Sequence, residues 1–429
     1  MIVGTFRQHG LAYTDHVIEV PLDHDRPDGP RIEVFAREIV TAAKAGADLP
    51  RLLFLQGGPG GKAVRPASKS GFVGRALDDH RVVLLDQRGT GRSTPANRQS
   101  LARLGGPAEQ AAYLAHFRAD SIVRDAELLR HEINGGRPWT TLGQSYGGFI
   151  TMTYLSLAPE GLERSFVTGG LPTLTGTADD VYPLTYDRTL EKNEAYFARH
   201  PGDRDLCARI VEHLRARDVR LPTGERLSPR RFQGAGLGLG TRSGFDTMHF
   251  LLEEAFVTGP DGPELSDTFL AGVSGAVSLA ARPLYALFQE LIYCQGGASR
   301  WAAERVHQRR PEFGLDGDVP FSFTGETYFP FHFDEDPALV PLRETAHLLA
   351  DKDDWPRLYD LERLARNEVP TYAAVYYDDM FVPREYSLAT ADAVRGLRPW
   401  ITNEYEHDGL KEGTAVLDHL FAMAEEDRC

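Results

Sequence analysis

Cysteine is scarce in this chain of 429 residues, which contains only Cys207, Cys294 and Cys429. The three lie far apart and show neither the spacing of a metal site nor a disulfide framework, so a reducing compartment is expected. No apolar run approaches the length of about 18 residues that a membrane-spanning segment needs. Residues 1–13 show no signal-peptide pattern. We therefore expect a soluble cytoplasmic protein.

Basic residues are also in the minority, with 47 Lys and Arg against 62 Asp and Glu, a net charge of −15. This balance argues against nucleic acid or an anionic membrane surface as a partner. The apolar content of 42% is sufficient for a large core, and the length suggests two or three domains. No cluster of ligand residues suggests a metal, no cofactor is expected, and no signal indicates an oligomeric state.

The pattern Gly-x-Ser-x-Gly occurs once in a chemically suggestive context, at residues 143–147, with Ser145 at its centre. Residues 137–142 before it have the character of a short buried strand, and residues 149–157 after it favour a helix. A serine on such a sharp strand-to-helix turn presents its hydroxyl group for nucleophilic attack. The glycines on either side avoid collisions with the strained turn. The pattern also occurs by chance around ordinary serines, so further evidence is needed.

Buried strands and helices alternate along the first part of the chain. Residues 51–55 form a continuous apolar run typical of a parallel strand buried on both faces, and residues 81–86 predict a second such strand. Residues 16–22 and 31–40 alternate polar with apolar side chains, which predicts an antiparallel hairpin. The alternation stops near Leu171 and resumes near Val369, with helical patterns between.

The prediction is an α/β fold with a mostly parallel sheet and helices on both faces. Its core comprises residues 1–171 and 366–429, and residues 172–365 form an inserted, mainly helical cap. Such a cap would lie over the carboxyl ends of the strands, where ligands bind in open α/β sheets.

A Gly-rich loop at residues 56–60 follows the first of these apolar runs. Lys62 suggests a phosphate-binding loop, but that motif requires glycine at the position of Gln56 and Ser or Thr after the lysine. The favoured interpretation is an oxyanion loop. The N–H groups of Gly58 and Tyr146 would then hold the negative charge that develops on a substrate carbonyl.

Two further stretches complete the pattern of a catalytic triad. Asp378 and Asp379 follow the strand at residues 369–376 and compete for the position of the acid. His407 follows a short strand near the C-terminus, and the order serine, aspartate, histidine is that of α/β-hydrolases. The imidazole removes the serine proton and later protonates the leaving group, while the carboxylate orients the ring. The chain has 14 histidines, so it is this order that favours His407.

Together these motifs resemble the proline iminopeptidases of the α/β-hydrolase class, in particular the longer bacterial form. The likeness covers nearly the whole chain, and in the cap it includes residues 290–294, 301–305 and 323–326. Gln56 departs from the shorter members, which often have His there, whereas the longer form also carries Gln. The resemblance implies a serine aminopeptidase that releases N-terminal proline from peptides through an acyl-enzyme, without a metal or cofactor.

The resemblance also implies roles for individual residues. Ser145 matches the nucleophile and His407 the general base. The hydrolase pattern places a proline four residues after the acid, and Pro383 stands four residues after Asp379 rather than Asp378.

In relatives, glutamates of the cap recognise the free ammonium group of the substrate. Glu290 and Glu326 are the candidates by their position in the cap motifs, and Glu253, Glu254 and Glu304 are less favoured substitutes. A buried carboxylate suits this task because a desolvated pair of opposite charges is geometrically selective. Each of these glutamates could equally be a solvated residue in a salt bridge.

Two alternative functions remain open at this point. The first is a cap-bearing esterase or amidase with the same triad and another substrate, which a preference for ester or acyl-blocked substrates would support. The second is a hydrolase-like binding protein without turnover, which a failure to react with a serine-directed organophosphonate would support. The cap glutamates argue against the first alternative, and the intact triad and oxyanion loop argue against the second.

Overall fold

The structure is a computed structural model that describes residues 1–316 and 319–427. Within these residues the strands are β1 (Ile2–Gln8), β2 (Leu11–Pro21), β3 (Arg31–Thr41), β4 (Arg51–Leu55), β5 (Arg81–Leu85), β6 (Trp139–Gln144), β7 (Leu162–Thr168), β8 (Phe256–Gly259), β9 (Gly262–Leu265), β10 (Thr371–Tyr376) and β11 (Leu397–Thr402). The α-helices of the first part are α1 (Gly71–Ala76), α2 (Arg98–Leu101), α3 (Pro107–Leu114), α4 (Ala119–Asn134) and α5 (Tyr146–Leu157).

The remaining α-helices follow β7. They are α6 (Ala178–Arg199), α7 (Pro201–Ala216), α8 (Pro229–Gln233), α9 (Gly244–Glu253), α10 (Asp267–Val277), α11 (Pro283–Phe288), α12 (Ala302–His307), α13 (His332–Glu335), α14 (Arg343–Asp351), α15 (Leu361–Leu364), α16 (Arg384–Ala393) and α17 (Ala415–Glu426). No helix in the described part of the chain is both long enough and apolar enough to cross a membrane.

The main sheet has the strand order β1-β2-β3-β5-β4-β6-β7-β10-β11 among the described residues. The six strands β5, β4, β6, β7, β10 and β11 run parallel, whereas β1, β2 and β3 pair antiparallel with their neighbours. The predicted α/β class and the predicted hairpin, β2 and β3, are therefore confirmed. The edge strand β1 was not predicted, because its residues are exposed on both faces and show no apolar alternation.

The core lies on both faces of the sheet, which explains the continuous apolar run of β4. Leu53 and Leu55 pack on the face covered by α4 and α5. Leu52 and Phe54 pack on the opposite face with residues of α1 and α17. Side chains of successive strand residues point to opposite faces, so a strand covered on both sides must be apolar throughout.

The segment between β7 and β10 carries helices α6 to α15, as the helical patterns indicated, and also the short hairpin of β8 and β9. Most residues of this hairpin are partly or fully exposed, so it has no buried apolar run that the sequence could reveal. The domain boundaries at residues 172 and 365 stay a prediction. Cys207 and Cys294 are buried free thiols, and Cys429 lies outside the described residues.

A buried ion pair joins the Gly-rich loop after β5 to helix α4. Arg88 donates from Nε to Asp125 Oδ2 at 2.7 Å and from Nη2 to Oδ1 at 2.5 Å, and both side chains are almost fully buried. The same guanidinium donates to the backbone carbonyls of Leu22 (2.8 Å) and Pro21 (3.2 Å). Arg88 thus fastens the end of β2, the loop and the helix to one another.

We expect Asp125→Asn to lower the free energy of unfolding by about 3–5 kcal/mol, because the substitution leaves the buried Arg88 charge uncompensated. Urea denaturation measures this change. The control is Asp25→Asn, which removes the partner of Arg124 in an exposed pair and should cost about 0–1 kcal/mol. Equal losses in the two variants would contradict the structural role of the buried pair.

Candidate active site

Four neighbouring parallel strands, β6, β7, β10 and β11, bring their carboxyl ends to one edge of the sheet. Ser145 follows β6 directly, Asp379 lies just beyond the end of β10, and His407 lies just beyond the end of β11. Three residues that are far apart in the sequence therefore meet at the edge where ligands bind in sheets of this kind.

Ser145 occupies a left-handed backbone conformation, with φ 55° and ψ −123°, between β6 and α5. Neighbouring glycines make this turn possible. A Cβ atom at Gly143 would lie 2.4 Å from the carbonyl oxygen of Gly147, and one at Gly147 would lie 1.9 Å from that of Leu55. Ser145 N donates to Thr168 O at 2.9 Å, which ties the turn to β7. Because α5 begins directly after Ser145, the positive end of the helix dipole lies beside its hydroxyl group.

Asp379 and His407 form a hydrogen bond of 2.8 Å between Oδ2 and Nδ1. The other carboxylate oxygen, Oδ1, accepts from the backbone N–H groups of Phe381 (2.8 Å) and Val382 (3.0 Å). Asp379 is 1% exposed, whereas Asp378 is exposed to solvent. The bond to Nδ1 leaves Nε2 of the imidazole as the nitrogen that faces away from the acid.

The pKa of His407 lies above its usual value. Burial of the ring lowers this pKa, but the Asp379 carboxylate, through its charge and its hydrogen bond, and the charge of Glu326 together outweigh the effect of burial. A neutral imidazole with a raised pKa is a stronger base, which suits the removal of a hydroxyl proton.

Two glycines allow close approach of the backbone to Ser145 and His407. A Cβ at Gly57 would lie 2.7 Å from Cβ of Ser145, and one at Gly169 would lie 3.1 Å from Nδ1 of His407. Gly58, in a left-handed conformation with φ 57°, lines the same cavity as Ser145. Tyr146 is the first residue of α5, so its N–H has no acceptor within the helix and is available to a ligand.

A cavity of about 650 Å³ lies over Ser145 and His407. Its floor comes from the edge of the sheet, and its walls come from α9, α10 and the 3-10 helix of residues 234–240. Of the predicted site residues, the cavity is lined by Ser145, His407, Gly58 and Glu326. Asp379 lies behind His407, and Glu290 is not among the residues that line the wall.

Glu326 is partly buried and accepts a short hydrogen bond from the Tyr285 hydroxyl group at Oε1. Desolvation by burial raises its pKa to about 7, although the bond from Tyr285 acts in the opposite direction. The ring of Tyr285 packs against Gly58, where a Cβ would come within 3.1 Å of the ring. Tyr285 thus connects the cap carboxylate to the loop beside Ser145.

Glu290 is buried, and both of its carboxylate oxygens are engaged. Oε2 accepts from Ala302 N at 3.1 Å and Oε1 from Ala303 N at 2.8 Å, at the N-terminus of α12. Desolvation by burial raises its pKa to about 7. In this position the side chain satisfies helical N–H groups that would otherwise lack partners.

Sequence reasoning missed Tyr285, Gly169 and a group of donors in the cap. The Gly-Gly sequence after β7 was the one signal that could have revealed Gly169.

The donor group in the cap consists of His200, Asp203 and His249. Their donor atoms lie within 4.8 Å of one another, so the group could hold a metal ion. His249 Nδ1 lies 3.0 Å from Asp203 Oδ2, and the two imidazoles stack with centroids 4.0 Å apart. Nε2 of His200 is buried and has no hydrogen-bond partner among the described residues.

The sequence matches the family described as having the alpha/beta hydrolase fold over residues 50–239. It is 47% identical to a proline iminopeptidase from Aeromonas sobria, covering 96% of this chain and 97% of that protein. It is 34% identical to a proline iminopeptidase from Aspergillus aculeatus, covering 95% of this chain and 92% of the relative. Among solved structures, a bromoperoxidase from Bacillus anthracis aligns with 96% of this chain and 100% of its own, at a TM-score of 0.39 and 14% identity.

We expect a serine-directed organophosphonate to label Ser145, with a rate that rises with pH through a midpoint above 6.5, the usual pKa of histidine. Only neutral His407 can accept the serine proton, and its pKa is raised, so the rate is low below the midpoint. Mass spectrometry of the labelled peptide against time measures this rate.

We expect Asp379→Asn to slow this labelling by a factor on the order of 10⁴, because an amide cannot hold the imidazole in the productive tautomer. Asp378→Asn is the matched control and should label at the rate of the unmodified chain. The same loss in both variants, or a loss in Asp378→Asn alone, would overturn the assignment of the acid.

Proposed function

This chain belongs to the proline iminopeptidase family, and we propose that Ser145, His407 and Asp379 are the nucleophile, the general base and the acid of its reaction. The protein is a serine aminopeptidase that releases N-terminal proline from peptides. The observation that carries the assignment is the buried 2.8 Å pair of Asp379 and His407, whose imidazole shares one cavity with the strained Ser145.

In the first half-reaction, Ser145 Oγ attacks the carbonyl carbon of the N-terminal proline while His407 Nε2 takes the hydroxyl proton. The N–H groups of Gly58 and Tyr146 hold the negative oxygen of the tetrahedral intermediate. The intermediate collapses when His407 returns the proton to the nitrogen of the scissile bond. The shortened peptide leaves, and the proline remains as an ester on Ser145.

In the second half-reaction, a water molecule takes the position of the departed peptide. His407 removes one proton from this water, the resulting hydroxide attacks the ester carbonyl, and Ser145 leaves with the proton from His407. The products are free proline and the regenerated hydroxyl group. Asp379 stays ionised throughout and stabilises the imidazolium that forms twice in each turnover.

We propose that Glu326 recognises the protonated amine of the substrate. It lines the cavity that contains Ser145 and His407, and its carboxylate is partly removed from water. Burial raises the pKa of Glu326 to about 7, and a neighbouring positive charge favours its ionised form. Glu290 stays a prediction for the same role, and its two bonds to the N-terminus of α12 favour a part in holding the cap together.

We also propose that residues 172–365 act as the substrate-recognition cap, since Glu326, Tyr285 and the wall helices α9 and α10 all come from this segment. The apolar ring of the substrate proline would contact Tyr285 and Phe381, which border the cavity. The buried free thiols Cys207 and Cys294 support a reducing environment, and we propose the cytoplasm as the site of action on small peptides.

We expect the protein to hydrolyse proline p-nitroanilide. Its kcat/KM for the N-acetylated form and for a short p-nitrophenyl ester should be much lower. The acetyl group removes the charge that a cap carboxylate would bind. Release of the coloured product measures the rates, and Ser145→Ala is the inactive control. A preference for the blocked amide or the ester would overturn amine recognition while leaving the triad intact.

We expect Glu326→Gln to raise KM for proline p-nitroanilide by roughly 10- to 100-fold, because the substitution removes a hydrogen bond between charged groups. In the unmodified enzyme KM should fall as pH rises through about 7, because Glu326 is neutral below its raised pKa. In Glu326→Gln this dependence should disappear.

The matched control for Glu326 is Glu304→Gln, a cap glutamate paired with Arg230 at 2.8 Å and absent from the cavity wall. It should leave KM within about twofold, as expected for a surface ion pair. Glu290→Gln, measured in the same assay together with its unfolding midpoint, separates amine binding from support of α12. An unchanged KM in Glu326→Gln would remove Glu326 from the site.

A further inference from the structure

Two cationic side chains, Arg282 and Lys411, line the cavity that contains Ser145 and His407. Arg282 precedes α11 in the cap, and Lys411 is the last residue of a 3-10 helix that begins just after His407. Both are exposed at the cavity mouth. In the described part of the chain, no carboxylate oxygen lies within 4.0 Å of either charged group.

The two cations differ in this respect from some other cations near this edge of the sheet. The net charge is −15, and other cations near this edge are paired: Lys192 lies 2.6 Å from Glu406, and Arg242 lies 3.1 Å from Glu412. The positive charge at the cavity mouth is therefore available to a ligand. The cavity therefore contains both a negative group, Glu326, and two positive side chains that lack ion-pair partners, so it can bind a ligand that carries both charges.

Both cations lie close to the reacting groups. The charge of Lys411 acts on the imidazole of His407, and that of Arg282 acts on the Glu326 carboxylate. The Arg282 guanidinium lies 4.6 Å from the centre of the Tyr285 ring, which itself packs against Gly58. Lys411 is thus on the side of the general base, and Arg282 on the side of the oxyanion loop.

The proposed reaction determines which part of the substrate lies beside His407. As the group that protonates the leaving nitrogen, His407 must contact the first residue of the departing peptide. In a dipeptide the terminal carboxylate carbon is only two bonds from that nitrogen, over lengths of about 1.46 and 1.52 Å. Each additional residue moves the carboxylate away by up to about 3.6 Å. Flexible cations near His407 can therefore reach the carboxylate of a short peptide, but not that of a long one.

A terminal carboxylate would otherwise be repelled from this cavity. Glu326 and Asp408 both line it, and Asp379 lies directly behind His407. The positive charge of Arg282 and Lys411 near the leaving group offsets this repulsion at the carboxylate end of the substrate. Glu326 binds the amine at the other end.

Building on the proposed function, we propose that Arg282 and Lys411 form a subsite for the C-terminal carboxylate of short substrates. The enzyme then selects zwitterionic dipeptides and tripeptides that begin with proline. Glu326 binds the amine at one end of such a peptide, and the two cations bind the carboxylate at the other.

The test compares kcat/KM for prolyl-leucine and for prolyl-leucinamide, which differ only in the terminal charge. We expect kcat/KM of the unmodified enzyme to be roughly five- to tenfold higher for the free acid. A factor of this size is expected for a contact between charged groups that solvent exposure weakens. The preference should shrink as ionic strength rises. In the double variant Arg282→Gln, Lys411→Gln the ratio should fall to near one, and in Lys411→Arg it should persist.

The matched control is Lys62→Gln, which removes another exposed lysine that lies outside the cavity wall and should keep the ratio of the unmodified enzyme. A ratio near one in the unmodified enzyme, or a preference that survives in the double variant, would overturn the subsite and leave the two cations as solvated rim residues. Proline p-nitroanilide is assayed in parallel. If the unmodified enzyme fails to hydrolyse it, the failure lies in the proposed function, and the subsite falls with it.

Discussion

The left-handed backbone of Ser145 is the constraint on which this active site depends. A residue with a side chain adopts that conformation only when the surrounding structure holds it there. Here close packing between backbone segments keeps Ser145 in this conformation. Gly143 and Gly147 let the turn contact itself and β4, and a Cβ at Gly170 would lie 2.3 Å from Ser145 O. The hydroxyl group is thereby held above the sheet edge, at the beginning of α5, where N–H groups and the helix dipole favour negative charge.

Residues between β7 and β10 enclose this edge of the sheet and form most of the cavity wall. Tyr285 contacts Gly58 with its ring and Glu326 with its hydroxyl group, so it joins the proposed amine-binding carboxylate to the loop beside Ser145. The cap also supplies the apolar walls and Arg282. An aminopeptidase must distinguish a free terminus from an internal peptide bond, and a carboxylate at a fixed distance from the nucleophile does this by geometry as well as by charge.

The extent to which the site could be predicted follows the range of the interactions involved. Ser145 and the parallel strands were predictable because a glycine pattern and apolar periodicity act between neighbours in the chain. Asp378 and Asp379 were indistinguishable by composition, and the spacing to Pro383 favoured one of them. In the structure their burial differs completely, and only Asp379 contacts His407. Burial of this kind depends on the packing of β10 beside β7 and β11, which no local pattern encodes.

The sequence by itself determined the fold class, the order of the reactive residues and the family to which the chain belongs, because these depend on local spacing and on motifs. The tertiary structure decided which side chains share the cavity. Glu290 and Glu326 were equivalent in the sequence, but Glu326 meets Tyr285, 41 residues away, at the cavity wall, whereas Glu290 binds the N-terminus of α12. The pairing of cations was decided in the same way. Whether a charge finds a partner depends on how distant segments pack, and this packing left Arg282 and Lys411 available at the cavity mouth.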